Sequence, residues 1–259
     1  MILYEDKALL VCHKPAGIPV QSASVREKDM VSLLRNHLGS DIHVVHRLDQ
    51  PVEGILVFVK TKSAAAGLSR QITDGSMRKI YHAVAEVTAQ ADLTMCADCD
   101  SKPGTEAAPW HTLIDYLKKD GRNNRSFVTK ENENGAKRAE LRYRILKYKA
   151  ANCIPSGDTT LSQEHSSSAD SVPKPAGTGF ALVEIELLTG RHHQIRVQMA
   201  HAGLPLIGDR KYNPNCCADN RQPSPSLALC AVLLTFRHPT TNKPMTFDVQ
   251  PQSEVFTTF

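Results

Sequence analysis

Residues 46–59 read HRLDQPVEGILVFV, a polar turn that runs straight into an almost wholly apolar stretch. A half-buried strand alternates polar and apolar positions. GILVFV at 54–59 has no polar position, so it predicts a strand buried on both faces at the centre of a sheet. Loops at the ends of rigid strands are favoured addresses for chemistry, and this turn puts His46, Arg47 and Asp49 at such an end. A cation beside a carboxylate favours its charged form. On residue type alone, Asp49 also fits a turn or a helix cap.

Working outward, the run at 9–12 closes in Lys14-Pro15-Ala16-Gly17 and predicts an opening strand and turn. Asp29 is placed to cap a helix carrying Val31, Leu34 and Leu38, and 42–45 reads as the strand leading into the turn. Ser63 starts a second helix, with Leu68 and Ile72 on one face, and 79–87 returns as a strand. The polar stretch at 118–137 reads as an exposed excursion, and 112–117 as a short helix or strand. Strand alternation resumes at Ala139 and again over 180–188. Between these, the Ser/Pro/Gly-rich segment 154–178 is too polar to offset its ordering entropy and reads as a disordered loop. A helix with Ile195 and Met199 follows Gly190, and strands over 226–237 and 245–249 end the chain. Strands outnumber helices without regular alternation. The expected fold is a single α+β domain with a mostly antiparallel mixed sheet, flanking helices and a central cleft.

The chain has 259 residues, 31 Lys+Arg against 27 Asp+Glu, and 41% hydrophobic residues, enough for one substantial core. No apolar run approaches the roughly 18 residues that span a bilayer, which excludes a helical membrane protein. Acidic Glu5 and Asp6 stand where a secretory signal is basic, so a cytoplasmic protein is expected. Seven cysteines at irregular spacing fit free thiols. Cys96 and Cys99 have zinc-knuckle spacing without a matching second pair, and the tandem His192-His193 lacks a ligand at i+3 or i+4, so no metal and no cofactor are expected. A metal-dependent hydrolase is disfavoured on the same ground.

A net charge of +4 permits a polyanionic partner without requiring one. The cations gather in RKIYH (78–82), KRAELRYRILKYK (137–149), GRHHQIR (190–196) and GDRKY (208–212), which would form a basic cleft if they converge. Lys79 and Tyr81 share one strand face by the period of two. The segment from Arg191 to Arg196 concentrates donors where a helix also presents unpartnered N–H groups.

In content and order, HKPAGIPV (13–20), HRLDQPVEG (46–54), RKIYHAV (78–84), LTGRHHQIRVQMAHAGLPLIGD (188–209) and RHPTTNKPMTF (237–247) resemble the RluA family of pseudouridine synthases. The resemblance begins at the first residues, so no appended RNA-binding S4 domain is expected. It implies isomerisation of uridine in rRNA or tRNA, without redox or metal chemistry. Asp49 would be the essential carboxylate, Arg196 its partner, and Tyr81 a residue that stacks on the uracil and assists at carbon 5. Ile195 would floor the base, and Arg47 would fill the space the flipped base leaves. Lys14, Lys79 and Arg191 would hold phosphates, with His46, His193 and Gln194 also in the RNA-binding set. The chain departs from the family at Val52-Glu53, where Thr-Ser is usual, and at Gln198 and Cys230, where His is frequent. Glu53 is therefore expected to tune or obstruct substrate approach. The alternative is an RNA-binding protein on the same scaffold without catalysis. A monomer is expected, since no heptad seam is present.

Overall fold

A computed structural model of the chain describes residues 1–22, 24, 27–88, 91, 108–150, 179–217, 226–257 and 259. The segment 154–178 and the pair Cys96 and Cys99 lie outside the described residues.

The apolar run 54–59 lies in β4 (Glu53–Val59), and every residue of that strand is buried. It lies between β2 (Leu9–Lys14) and β10 (Leu229–Arg237), and β3 (His43–Val44) pairs with its far end. Leu56 and Phe58 join Leu10 and Cys12 beneath α1 (Met30–Leu38) in the larger core. Ile55, Val57 and Val59 join Leu9 and Val11 beneath α2 (Lys62–Thr73) in the second. Helices cover both faces, and that is why the run from Ile55 to Val59 is apolar on both.

The sheet runs β1 (Ile2–Glu5), β2, β4, β10, β5 (Arg78–Val87), β9 (Gly179–Leu187), β8 (Lys137–Ala150), β6 (His111–Asp120), β7 (Arg125–Thr129). β11 (Pro244–Asp248) pairs with β10. The β4–β10 pairing is parallel and the others are antiparallel. Gly54 sits at this parallel junction with φ 126°, and a side chain there would overlap the backbone of Ala231.

Local signals hold where they concern neighbours in sequence. Asp29 caps α1, accepting from Ser32 N–H at 2.7 Å, and Gly39 closes it in the left-handed conformation. The polar stretch 118–137 is largely exposed, but it is built of regular strands: β6 and β7 form a hairpin whose register is set by Leu117 opposite Val128 and Asp120 opposite Arg125. Its inward anchors, Leu117 and Ala139 with Val197 of α3 (Gln194–His201), form a small separate core. That core lays the hairpin over α3. The chain ends in α4 (Glu254–Thr257). No described helix is long and apolar enough to cross a membrane.

Candidate active site

The turn carrying Asp49 is clamped by the turn that follows β2. Gly17 N–H donates to the Gln50 carbonyl at 2.9 Å, and Gln50 Nε2 returns a bond to the Gly17 carbonyl at 3.1 Å. Lys14 completes the clamp. Its side chain is fully buried, and Nζ donates to the carbonyls of Pro15, Ile18 and Gln50 at 3.0, 2.8 and 3.0 Å. This corrects the expectation that Lys14 holds phosphate, because all three of its N–H groups are spent on the backbone. Burial lowers its ammonium to about 8, partly countered by Asp49 and Glu53.

His46 is half-buried, and its Nε2 accepts from Val57 N–H at 3.2 Å, continuing the ladder of β4 where β3 stops. Burial pushes the ring down to about 3, so it is a neutral acceptor and not a cation for RNA. Arg47 is exposed, with one long bond to Gln21 at 3.4 Å.

Asp49, 28% exposed at its side chain, receives Nη1 of Arg196 at 3.3 Å. The planar fork of Arg196 is directed elsewhere: Nε and Nη2 donate to the two oxygens of Asp209, each at 2.7 Å. The pairing expected between Arg196 and Asp49 is therefore a single bond, and the bidentate partner is Asp209. Asp209 is buried and also accepts from Lys211 and Tyr212 N–H at 2.9 and 3.2 Å, closing the turn after α3. The Arg196 guanidinium also lies over the Tyr212 ring, 5.2 Å from its centre.

His193 precedes α3 in the left-handed conformation, φ 54°, uncommon for a residue with a side chain. The ring earns that conformation by three contacts. Nδ1 lies 2.8 Å from Tyr212 Oη, Nε2 lies 3.7 Å from Asp49 Oδ2, and the ring stacks on His192 at 3.8 Å. Burial first and Arg196 next push His193 down to about 3, so the approach to Asp49 is a neutral edge and not an ion pair. The hairpin supplies the outer supports: Ser126 N–H donates to Tyr212 Oη at 2.8 Å, while Ser126 Oγ and Asn124 Oδ1 lie 2.8 and 3.0 Å from the His192 ring nitrogens.

A cavity of about 420 Å³ opens beside Asp49, with Leu48, Val52, Tyr81, Ile195 and Leu229 among its walls and Lys79, Arg191 and Arg47 around it. Tyr81 is 5% exposed, and burial with the nearby Asp49 pushes its phenol far up, so it is neutral. Lys79 is half-buried and its ammonium is lowered by burial. Arg191 is exposed, with Nε donating to the Arg138 carbonyl at 2.9 Å. Gln194 also borders the cavity, but its amide is consumed internally. Oε1 accepts from Thr189 Oγ1 and Arg191 N–H at 2.8 and 2.9 Å, and Nε2 donates to the Glu140 carbonyl and Gln198 Oε1 at 3.0 and 2.9 Å. Gln194 thus shapes the turn, correcting its expected place among RNA contacts.

Glu53 turns away from the cleft. It is buried and Oε1 accepts from Gln252 and Ser253 N–H at 3.1 and 3.3 Å, tying the C-terminal segment to β4. The expectation that it tunes or obstructs substrate approach is corrected accordingly. Gln198 ties α3 to β6 through Asp115 Oδ2 at 2.8 Å, and Cys230 is a buried thiol. Among the described residues, no group of three or more His, Cys, Asp or Glu is arranged to hold a metal. Asp209 and Tyr212 are the site residues that sequence reasoning missed, though both lie in the cation-rich GDRKY segment.

A buried arginine holding a carboxylate at the edge of an apolar cavity, with cations at its mouth, equips an enzyme for a planar group carried on an anionic chain. Residues 8–201 match the model of the RNA pseudouridylate synthase family. The chain is 26% identical over 265 residues to tRNA pseudouridine synthase C of Pectobacterium carotovorum subsp. carotovorum, covering 96% of this chain and 58% of that protein. It is 27% identical over 257 residues to the dual-specificity RNA pseudouridine synthase RluA of Escherichia coli K12, covering 95% and 91%. The solved structure of human RNA pseudouridylate synthase domain containing 1 shares the fold, with a TM-score of 0.65 at 19% identity over 96% of this chain and 82% of that one. The chain belongs to the RNA pseudouridylate synthase family, in its RluA group, and is by class an isomerase.

Proposed function

We propose that this chain isomerises uridine in tRNA or rRNA to pseudouridine, with Asp49 as the catalytic carboxylate. The observation that carries the reading is the position of Asp49, tethered by Arg196 at 3.3 Å where the apolar cavity meets the cationic mouth. The reaction breaks the bond from N1 of uracil to C1′ of the ribose, turns the base and forms a bond from C5 to C1′. The proton on C5 leaves and N1 gains one, so no atom is added or lost.

Each neighbour has a part that its surroundings support. Tyr81, held as a neutral phenol, lies against the uracil face and keeps its proton for hydrogen bonding, so it enters the reaction as a donor and not as a phenolate. Ile195 floors the base. Arg196 orients Asp49, and Asp209 holds Arg196. Lys79 and Arg191 meet phosphates, and exposed Arg47 at the mouth occupies the stack the target base vacates.

Attack on the nucleoside and proton abstraction from the ribose both need the carboxylate charge. Asp49→Asn preserves shape and removes that charge, so tritium release from carbon-5-labelled uridine in a mixed tRNA and rRNA pool is expected to fall to background while filter binding of the same RNA persists. Wild-type turnover with Asn at this position would overturn the reading. An inactive wild type that still bound RNA would support the non-catalytic alternative.

A further inference from the structure

Asp49 borders two cavities. Beyond the apolar one lies a second, of about 700 Å³, that shares Arg47, Leu48, Asp49, His192, His193 and Arg196 with it. The second cavity has a different character. Its own walls include Lys119 on β6, Asn124 at the hairpin tip, and Arg210 and Lys211 in the turn after α3. Asp49 is its one carboxylate among the lining residues, and Arg196, which it also contains, is already neutralised by Asp209.

The cations here are unevenly committed. Lys211 Nζ donates to the Asn124 carbonyl at 2.6 Å, holding the turn to the hairpin. Lys119 and Arg210 are exposed, and no described carboxylate pairs with either. The neighbouring Lys118, by contrast, is paired with Glu133 at 2.7 Å and does not line the cavity. A concave wall with uncompensated charge of one sign concentrates the field on whatever anion enters it. Its volume, within the usual range of roughly 300–1,000 Å³ for ligand sites, suits a nucleotide unit.

We propose that the second cavity is a subsite for a nucleotide flanking the target uridine, with its phosphodiester gripped by Lys119 and Arg210. The inference rests on the reading of Asp49 as the catalytic carboxylate, which sets the target ribose at the partition between the cavities. A strand that delivers its base to Tyr81 then continues across Asp49 into the second cavity. Because Lys119 comes from the hairpin and Arg210 from the turn that carries Asp209, the phosphate bridges both elements. The hairpin is thereby a substrate-reading element and not surface ornament.

The test uses the full chain carrying Asp49→Asn, titrated by fluorescence anisotropy with labelled oligouridylate and with the same oligomer carrying uncharged methylphosphonate linkages. Adding Lys119→Ala with Arg210→Ala is expected to weaken oligouridylate binding about tenfold and to flatten the log–log salt slope by about 0.7, the value for the one phosphate they share. The same pair is expected to lose less on the methylphosphonate oligomer. Lys7→Ala, an exposed cation that lines neither cavity, is the control and is expected to leave both unchanged. In the otherwise native enzyme the double variant is expected to raise KM far more than it lowers kcat. An unchanged salt slope, or an equal loss on both oligomers, would overturn the proposal. Loss of slope in a chain whose wild type shows no turnover would uphold the subsite and overturn the catalytic reading instead.

Discussion

Arg196 grips Asp209 with two bonds of 2.7 Å and reaches Asp49 with one of 3.3 Å. The buried partner thus fixes the guanidinium, and the guanidinium then presents its remaining nitrogen to the partly exposed carboxylate. Breaking a buried ion pair leaves an uncompensated charge, at a cost of roughly 3–5 kcal/mol, whereas a partly exposed contact contributes about 1 kcal/mol or less. Asp209→Asn is therefore expected to lower both unfolding free energy and turnover severely, while Asp49→Asn abolishes turnover and leaves stability nearly unchanged. Urea titration alongside tritium release checks this. Equal stability losses in the two variants would refute the hierarchy.

Lys14 offers a contrast between a structural and a phosphate-binding lysine. Lys14→Met takes the ammonium donor from the Pro15 and Ile18 carbonyls and leaves the Gln50 carbonyl only its bond from Gly17 N–H, and its destabilisation is expected to reach about 3 kcal/mol. At temperatures where the variant is folded, the salt slope of RNA binding is expected to match wild type. Lys79→Met is expected to flatten that slope. A flattened slope in Lys14→Met would restore its phosphate role.

The acid side of the stability curve follows from two imidazoles. His46 and His193 are each lowered from 6.5 to about 3, mainly by burial. Between those values the unfolded chain binds protons that the native chain refuses, so stability rises with pH across the window and is lost as pH falls below 6.5. The limiting slope is about 1.4 kcal/mol per pH unit for each ring. His46→Gln keeps an acceptor for Val57 N–H but cannot titrate, and it is expected to reduce the slope measured by denaturant unfolding between pH 6 and 4.5. An unaltered slope would exclude His46 as a source.

Ala150 and Gly179 face each other across β8 and β9. A two-residue turn can join such a pair, so replacing 151–178 by Asn-Gly is expected to preserve both fold and turnover. The reading of 154–178 from its composition leads to the same outcome. A soluble variant with lost RNA affinity would make the segment a binding element.

Glu53→Ala is expected to release the C-terminal segment it holds, seen as faster amide exchange over 252–257, with turnover affected far less than by changes at Asp209. Unchanged exchange there would show that α4 is held by its other contacts.

What the amino-acid order determined by itself was local and periodic. The unbroken apolar run of β4, the cap at Asp29 and the alternation through β8 and β9 each follow from residues within a few positions of one another, and such patterns survive whatever the rest of the chain does. The segments holding Asp49, Tyr81 and Arg196 were legible too, since each ends or begins an element. Only the tertiary structure decided which partners those side chains take. Lys14 meets Gln50 across 36 positions, Glu53 meets Gln252 across 199, and Arg196 meets Asp49 across 147. A lysine or glutamate written in a strand looks solvent-bound by type, and only the burial of its neighbours makes a backbone carbonyl or amide its cheapest partner. The hairpin of 118–137 was obscure for the same reason: with few apolar residues its pattern is weak, and the small core it shares with Val197 of α3 exists only once both are folded against each other.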